Sequence, residues 1–373
     1  MIHVSSSAFL GKERENVLDC LAKNRTTQGD YVRRFEEAWA SFCGVAHAIA
    51  CSSGTSALHL AMQALGVQKG TAVFVPALTY VATANAVTYC GGTPIICDVD
   101  PSTWNLDPLD VERAIGEAKL AGLKPVGIVP VHLYGVPAAM AWLQELGLQH
   151  NLWVVEDAAQ AHGTALQGRR AGSLGTAAAF SFYGSKVLSC GEGGVVTTNS
   201  SEVDRLARLY RGQGMSQRSP SDRYFHSVVG YNYRMTDLQA AIALAQVESY
   251  GTHATLRRQV IGWYDELLNG VGVQRQVIPA HSNPSNWLVT VLLPEGVDRG
   301  EVSRRMLASG VETRPTFIPL GDLPPYKASV RQTPVAAMLS ARGLSLPTHA
   351  NLTRHEVIDV VMALLDALQG VPA

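Results

Sequence analysis

From His47 onward the chain alternates short apolar runs, AHAIAC, AVFVP, PIICDVD, GIVPVH and LWVVED, with stretches that keep helical spacing. Runs that are apolar along their whole length and separated by helices predict strands of a mainly parallel sheet covered on both faces. Ligands on such sheets sit beyond the carboxyl ends of the strands, which gives weight to the loops that follow them. Two further runs, AAAFSFYG and GGVVTTN, flank a Gly-rich turn. Val32, Phe35, Trp39 and Phe42, with Gly44 as a stop, predict a helix over 31–43. A helix is predicted over 204–210 and another at TDLQAAIALAQVE, where Thr236 and Gln239 have capping-box spacing. The stretch 212–233 has no period and reads as a long loop. Beyond about 250, RRQVIGWYDELL, WLVTVLL, VSRRMLASG and HEVIDVVMALLDAL read as helix, strand, helix and helix of a smaller α+β unit. The predicted class is α/β, with a large domain over 1–250 and a small one over 251–373. The first ten or so residues are expected to pack on the small domain.

Composition narrows the function. Of 373 residues, 47% are hydrophobic and 16% charged, the balance of a folded globule rather than a disordered chain. A formal charge of -1 supplies no basic field, so nucleic acid is not the expected partner. Six cysteines without a CxxC pair argue against a disulfide scaffold or a zinc ribbon and fit a reducing cytoplasm. No Cys/His/Asp spacing suggests a metal. The N-terminus has no basic leader, and no apolar run reaches the roughly 18 residues of a membrane span.

Three segments carry candidate chemistry. Ser52 to Leu60 forms a small polar turn after the first strand and runs into a helix. Its N–H groups and the Thr55 and Ser56 hydroxyls offer an anion cradle, although an ordinary Ser/Thr N-cap has the same pattern. Asp157 emerges where the strand LWVVED stops; it reads as a helix N-cap or as a carboxylate bonded to a protonated ring nitrogen. Lys186, in a turn between apolar strands, is either a solvated lysine or a partly buried amine of lowered pKa. Together, a phosphate cradle, a strand-end Asp and a desolvated Lys match what pyridoxal phosphate requires.

The segments SSGTSALHLA, PALTYVATANAV, DVDPSTWNLDP, PVHLYG, EDAAQAHG, SFYGSKVLSCGEGGVV and GYNYRMTDLQAAIALAQ resemble the DegT/DnrJ/EryC1/StrS sugar aminotransferases over nearly the whole chain. The resemblance implies the fold-type I, aspartate aminotransferase-like architecture. It implies Lys186 as the Schiff-base lysine, Asp157 as the pyridinium partner and Gln160 at the cofactor face or its 3-oxygen. Tyr80 would lie against the ring, although its apolar spacing with Val81, Ala84 and Val87 also reads as core. Gly54, Thr55 and Ser181 would take the phosphate, and Asn232 would reach it from a neighbouring subunit, which makes a homodimer with shared sites. Two departures stand out: Gly184-Ser185-Lys186 replaces the usual GNK or PTK, and Pro319-Leu320-Gly321 replaces the usual Pro-Leu-His.

The implied reaction is transamination of a nucleotide-linked keto-6-deoxy sugar, GDP-4-keto-6-deoxymannose, with L-glutamate as donor and 2-oxoglutarate as by-product. A 3-keto sugar, a dTDP or UDP sugar, a sugar dehydratase and a non-catalytic regulator are the alternatives. Lys186 speaks against the dehydratase, whose family members carry histidine there. Retention of Lys186, Asp157 and Ser181 speaks against the regulator. Candidate substrate contacts are His162, Tyr183, Arg211, Arg218, Arg223 and Arg314. His162, like His132, also reads as a satisfied loop or core histidine, and Arg314 as a surface salt bridge.

Overall fold

The computed structural model describes residues 1–216, 224–327 and 331–369. Two helices, α1 (Glu13–Ala22) and α2 (Asp30–Cys43), precede β1 (His47–Cys51). The helix α2 buries Val32, Phe35, Trp39 and Cys43 and ends at Gly44, whose φ of 73° is a left-handed turn that glycine enters without strain. The alternation then runs α3 (Gly54–Ala64), β2 (Thr71–Pro76), α4 (Ala82–Tyr89), β3 (Thr93–Cys97), α5 (Pro108–Leu120), β4 (Lys124–Ile128), α6 (Met140–His150) and β5 (Trp153–Asp157). A two-residue pair, β6 (Ala165–Leu166) and β7 (Arg169–Arg170), leads to β8 (Ala177–Ser181) and β9 (Gly194–Thr198).

These build a seven-stranded sheet in the order β1-β9-β8-β5-β4-β2-β3. Its neighbours from β8 to β3 are parallel, while β9 runs antiparallel to both β8 and β1. Every residue of β2 and β8 is buried, as a sheet covered on both faces demands. Next come α7 (Ser201–Arg211), α8 (Asp237–Glu248) and α9 (Tyr250–Leu267). Thr236 and Gln239 close a capping box at the start of α8. The expected loop over 212–233 is paired at its flanks, through Gly212 with Asn232 and Met215 with His226. Arg218 and Arg223 lie outside the described residues.

The rest of the chain supplies β10 (Gln274–Arg275), β11 (Ser282–Asn283), β12 (Val289–Leu292), α10 (Arg299–Ala308), β13 (Arg314–Pro315), α11 (Pro334–Arg342), β14 (Gly343–Leu346) and α12 (Arg354–Gln369). A second sheet, β10-β12-β14-β13, is antiparallel, and its core joins Tyr264, Val291, Val302, Leu344, Val360 and Leu364. The N-terminal residues attach here: Ile2 exchanges backbone hydrogen bonds with Gly310 and Glu312, and Thr348 N donates to Val4 O at 2.9 Å.

The chain does not divide cleanly at 250. Strand β11 pairs with β6, and Leu320, Tyr326, Ala336 and Leu339 are buried in the core of the large sheet. Asp98, just past β3, explains the return: its carboxylate accepts Val335 N at 3.0 Å and Ala336 N at 2.9 Å, capping α11 from a distance of more than 200 residues. No helix among the described residues is long and apolar enough to cross a membrane.

Candidate active site

A cavity of about 470 Å³ opens at the carboxyl ends of β1, β5 and β8. One wall is the N-terminus of α3. Ser53 is its N-cap: Ser56 N donates to Ser53 Oγ at 3.1 Å, and Ser56 Oγ accepts from Ser53 N at 2.9 Å. That closed box corrects the expectation for Ser56, whose hydroxyl is buried and turned back into the helix. Ser53, Gly54 and Thr55 face the cavity in its place, and the helix end presents N–H groups and a positive dipole to an anion. Gly54 is required by close approach, because a Cβ there would lie 2.6 Å from the Ser181 Cβ. This contact brings the end of β8 against the start of α3, so Ser181 joins the same anion-binding wall.

Two adjacent acids at the end of β5 have opposite environments, as alternation along a strand dictates. Glu156 is saturated: its carboxylate accepts from Gly172 N, Leu174 N and Gly175 N at 2.7–2.9 Å and pairs with His132 Nε2 at 3.0 Å. Ala138 N donates to His132 Nδ1 at 3.1 Å, which places the imidazole proton on Nε2. His132 is thus a satisfied core histidine. Asp157 lines the cavity with fewer donors, Thr83 Oγ1 at 2.7 Å and Ala159 N at 3.2 Å. Burial pushes its pKa above the ordinary carboxylate value despite these bonds. A buried carboxylate so short of donors is suited to a cationic partner.

Lys186 lines the same cavity, its amine lowered to about pKa 8 chiefly by burial, with Asp157 opposing the shift and Arg314 reinforcing it. The amine lies 3.9 Å from the centre of the Trp287 ring. Trp287 Nε1 donates to Ser185 O at 2.7 Å. Tyr80, which its apolar spacing alone placed in the core, is 58% exposed and faces the cavity with Gln160, Tyr183 and Arg314. Gln160 Oε1 accepts from Tyr134 N at 2.6 Å, and Arg314 Nη2 donates to Ser5 Oγ at 3.0 Å.

Other expected contacts lie elsewhere. The His162 ring is fully buried against Trp39, Phe180 and Phe182 and does not line the cavity, and burial drops its pKa to about 3, which keeps it neutral. Arg211 is a structural cation: it pairs with Glu36 Oε1 at 2.8 Å and donates to Ala50 O at 2.8 Å. Asn232 is exposed and does not line the cavity of its own chain. Thr83, Tyr134 and Trp287 were missed from the sequence. Thr83 carries a weak signal, one of several polar residues in the mainly apolar stretch after β2, whereas Trp287 reads only as the first residue of a strand.

These residues fit a phosphorylated pyridine aldehyde: an anion-binding helix end, an under-supplied buried carboxylate and a desolvated amine share one cavity. No group of three or more potential metal ligands is found among the described residues. The model of the DegT/DnrJ/EryC1/StrS aminotransferase family matches residues 10–365. The chain is 44% identical over 371 residues to the GDP-perosamine synthase of Caulobacter vibrioides, covering 98% of this chain and 97% of that protein. It is 37% identical over 358 residues to the GDP-perosamine synthase of Escherichia coli O157:H7, covering 96% of each. Among solved structures, S. venezuelae DesV in complex with a ketimine intermediate matches with a TM-score of 0.89 and 33% identity, over 97% of this chain and 95% of that one. With matches of that extent laid over a cavity of this chemistry, the chain belongs to the DegT/DnrJ/EryC1/StrS aminotransferase family.

Proposed function

We propose that this aminotransferase uses pyridoxal phosphate to move the amino group of L-glutamate onto GDP-4-keto-6-deoxy-D-mannose, giving GDP-perosamine and 2-oxoglutarate in the cytoplasm. The observation that carries the substrate is the 44% identity to a GDP-perosamine synthase over 98% of the chain. The cofactor reading is supported by the chemistry of the cavity.

Pyridoxal phosphate, when bound, supplies a reactive aldehyde and an electron-accepting ring. The N-terminus of α3, Thr55 and Ser181 would hold its phosphate, and Tyr80 and Gln160 would bear on its ring. Asp157 would keep a proton on the ring nitrogen, the charge balance that its own buried carboxylate lacks. Lys186 Nζ would hold the aldehyde, with water as the leaving group, and, once displaced by the amine of glutamate, would carry a proton to and from the donor carbon. An amine with a pKa of about 8 does both near neutrality, because it gives and takes a proton at little cost. Trp287, Tyr134 and Phe317 make an aromatic wall that limits water at that amine. Arg314 would take a substrate anion and Tyr183 would contact the sugar nucleotide.

A second copy of the chain completes the site in this reading. Asn232, exposed and outside its own cavity, would reach the phosphate of the partner. Mixing Asn232→Ala with Lys186→Ala protein would then restore part of the activity.

A panel of GDP-, dTDP- and UDP-linked keto sugars incubated with glutamate and read by mass tests the substrate. The GDP 4-keto sugar is expected to gain the amino group. Amination of a dTDP or UDP sugar in its stead replaces the substrate reading, and no amination of any sugar removes it.

A further inference from the structure

Trp287 makes two contacts that converge on one residue. The face of its ring lies 3.9 Å from Lys186 Nζ, while its ring N–H donates to the carbonyl of Ser185, one residue before the lysine, at 2.7 Å. The backbone leading into Lys186 and the end of its side chain are therefore both referenced to a single rigid, buried ring. The ring is itself anchored: Trp287 N donates to Tyr134 O at 2.9 Å. Behind it, the buried Arg257 donates to the carbonyls of Asn286, Trp287 and Thr348 at 2.6–3.3 Å. A guanidinium committed to three carbonyls fixes backbone, and here it fixes the stretch that carries Trp287.

We propose that Trp287 is a positioning residue for the reacting amine: its ring face receives Lys186 Nζ and favours its ammonium form without locking it, and its N–H fixes the turn from which the lysine projects. This rests on the reading of Lys186 as the reacting amine. An ammonium over an indole face is favoured by the ring quadrupole, an attraction that grows as water is excluded. The charged groups that act on Nζ are Asp157 from β5, which favours the proton, and Arg314 from β13, which disfavours it. The buried ring of His162, kept neutral, also lies within reach of the lysine's charge. Tyr80, Tyr134, Tyr183 and Glu192 line the same cavity. Trp287 adds to the side of Asp157 without bringing a second charge.

The ionisation of Lys186 is measured in the full-length, cofactor-free chain by competitive acetylation with acetic anhydride from about pH 6 to 11, quantifying the Lys186 peptide by mass. Trp287→Leu is expected to lower the Lys186 pKa by about one unit, and Trp287→Phe, which keeps a weaker ring face, by less than half of that. Values within ~0.2 unit of the unaltered chain in folded Trp287→Leu protein overturn the proposal. Should that variant fail to fold, fluorinated tryptophan in place of the six tryptophans drains the ring face while keeping its shape. A pKa that falls with added fluorine supports the proposal, and a flat series overturns it. Borohydride trapping of pyridoxal phosphate tests the underlying reading separately. An adduct on Lys186 with unmoved ionisation defeats the Trp287 role alone, and no adduct on Lys186 in the unaltered chain defeats both.

Discussion

Thr83 Oγ1 lies 2.7 Å from Asp157 Oδ2 and is the nearer of the two donors that meet this carboxylate. The contact joins the start of α4 to the end of β5. Thr83→Val removes the donor while keeping the shape, so the carboxylate becomes a poorer holder of charge. A hydrogen bond to a charged group contributes about 1.5–3 kcal/mol, so kcat/KM is expected to fall roughly tenfold to a hundredfold. Thr83→Ser should restore most of it. Steady-state kinetics with glutamate check this, and an unchanged Thr83→Val enzyme would remove Thr83 from the support of Asp157.

Burial of Lys186 costs the fold stability. Its folded pKa of about 8 lies below the ordinary lysine value of 10.5, so between these pH values the unfolded chain binds the extra proton. Stability therefore rises with pH across that window, and the cost is full below pH 8. Lys186→Met should raise the unfolding free energy by roughly 1–3 kcal/mol at neutral pH. The gain should vanish above pH 10.5. Urea unfolding at two pH values measures it, and equal gains at both would contradict the pKa.

Gly54 has no room for a side chain, because Ser181 lies where a Cβ would stand. Gly54→Ala must push α3 away from β8, at a cost of about 1–3 kcal/mol, and should weaken pyridoxal phosphate binding by spreading the phosphate wall. Ser181→Gly in the same chain relieves the clash. Thermal unfolding should recover in the double variant while cofactor affinity, read by fluorescence titration, stays low.

Buried Arg211 and partly buried Glu36 form an ion pair away from the cavity. Arg211→Ala strands the Glu36 carboxylate with Arg208 as its remaining cation and should cost about 3 kcal/mol of stability. The KM for the sugar nucleotide in folded protein should not change. A raised KM with unaltered stability would return Arg211 to the substrate site.

Much of the candidate site was legible because its residues sit at positions that strand grammar marks. Asp157 ends an apolar run, Lys186 occupies a Gly-containing turn after another, and Gly54 and Thr55 open a helix after a third. All four line one cavity with Tyr80, Gln160, Ser181, Tyr183 and Arg314. What failed depends on contacts distant in sequence. His162 lies two residues from Gln160 but points among Trp39, Phe180 and Phe182, a direction set by packing rather than by spacing. Arg211 finds Glu36 175 residues away, which no local charge pattern displays. Trp287 reaches Lys186 from a segment 102 residues downstream of Ser185. In the fold, α1 buries only Glu13 and Cys20, so no apolar stripe announces it. Helix α11 takes its cap from Asp98 rather than from a residue beside it.

The back-to-back acids of β5 carry an evolutionary consequence. Moving that strand by one position would exchange Glu156 and Asp157, seating a carboxylate meant for four partners where only two are offered and crowding the other into the interior. An insertion or deletion in the strand would thus disable the chemistry and loosen the core at one stroke. A change in chain length that spares both environments has to fall outside the strand, and the segment after it leaves little room, because Ala158 and residues 160–164 are buried.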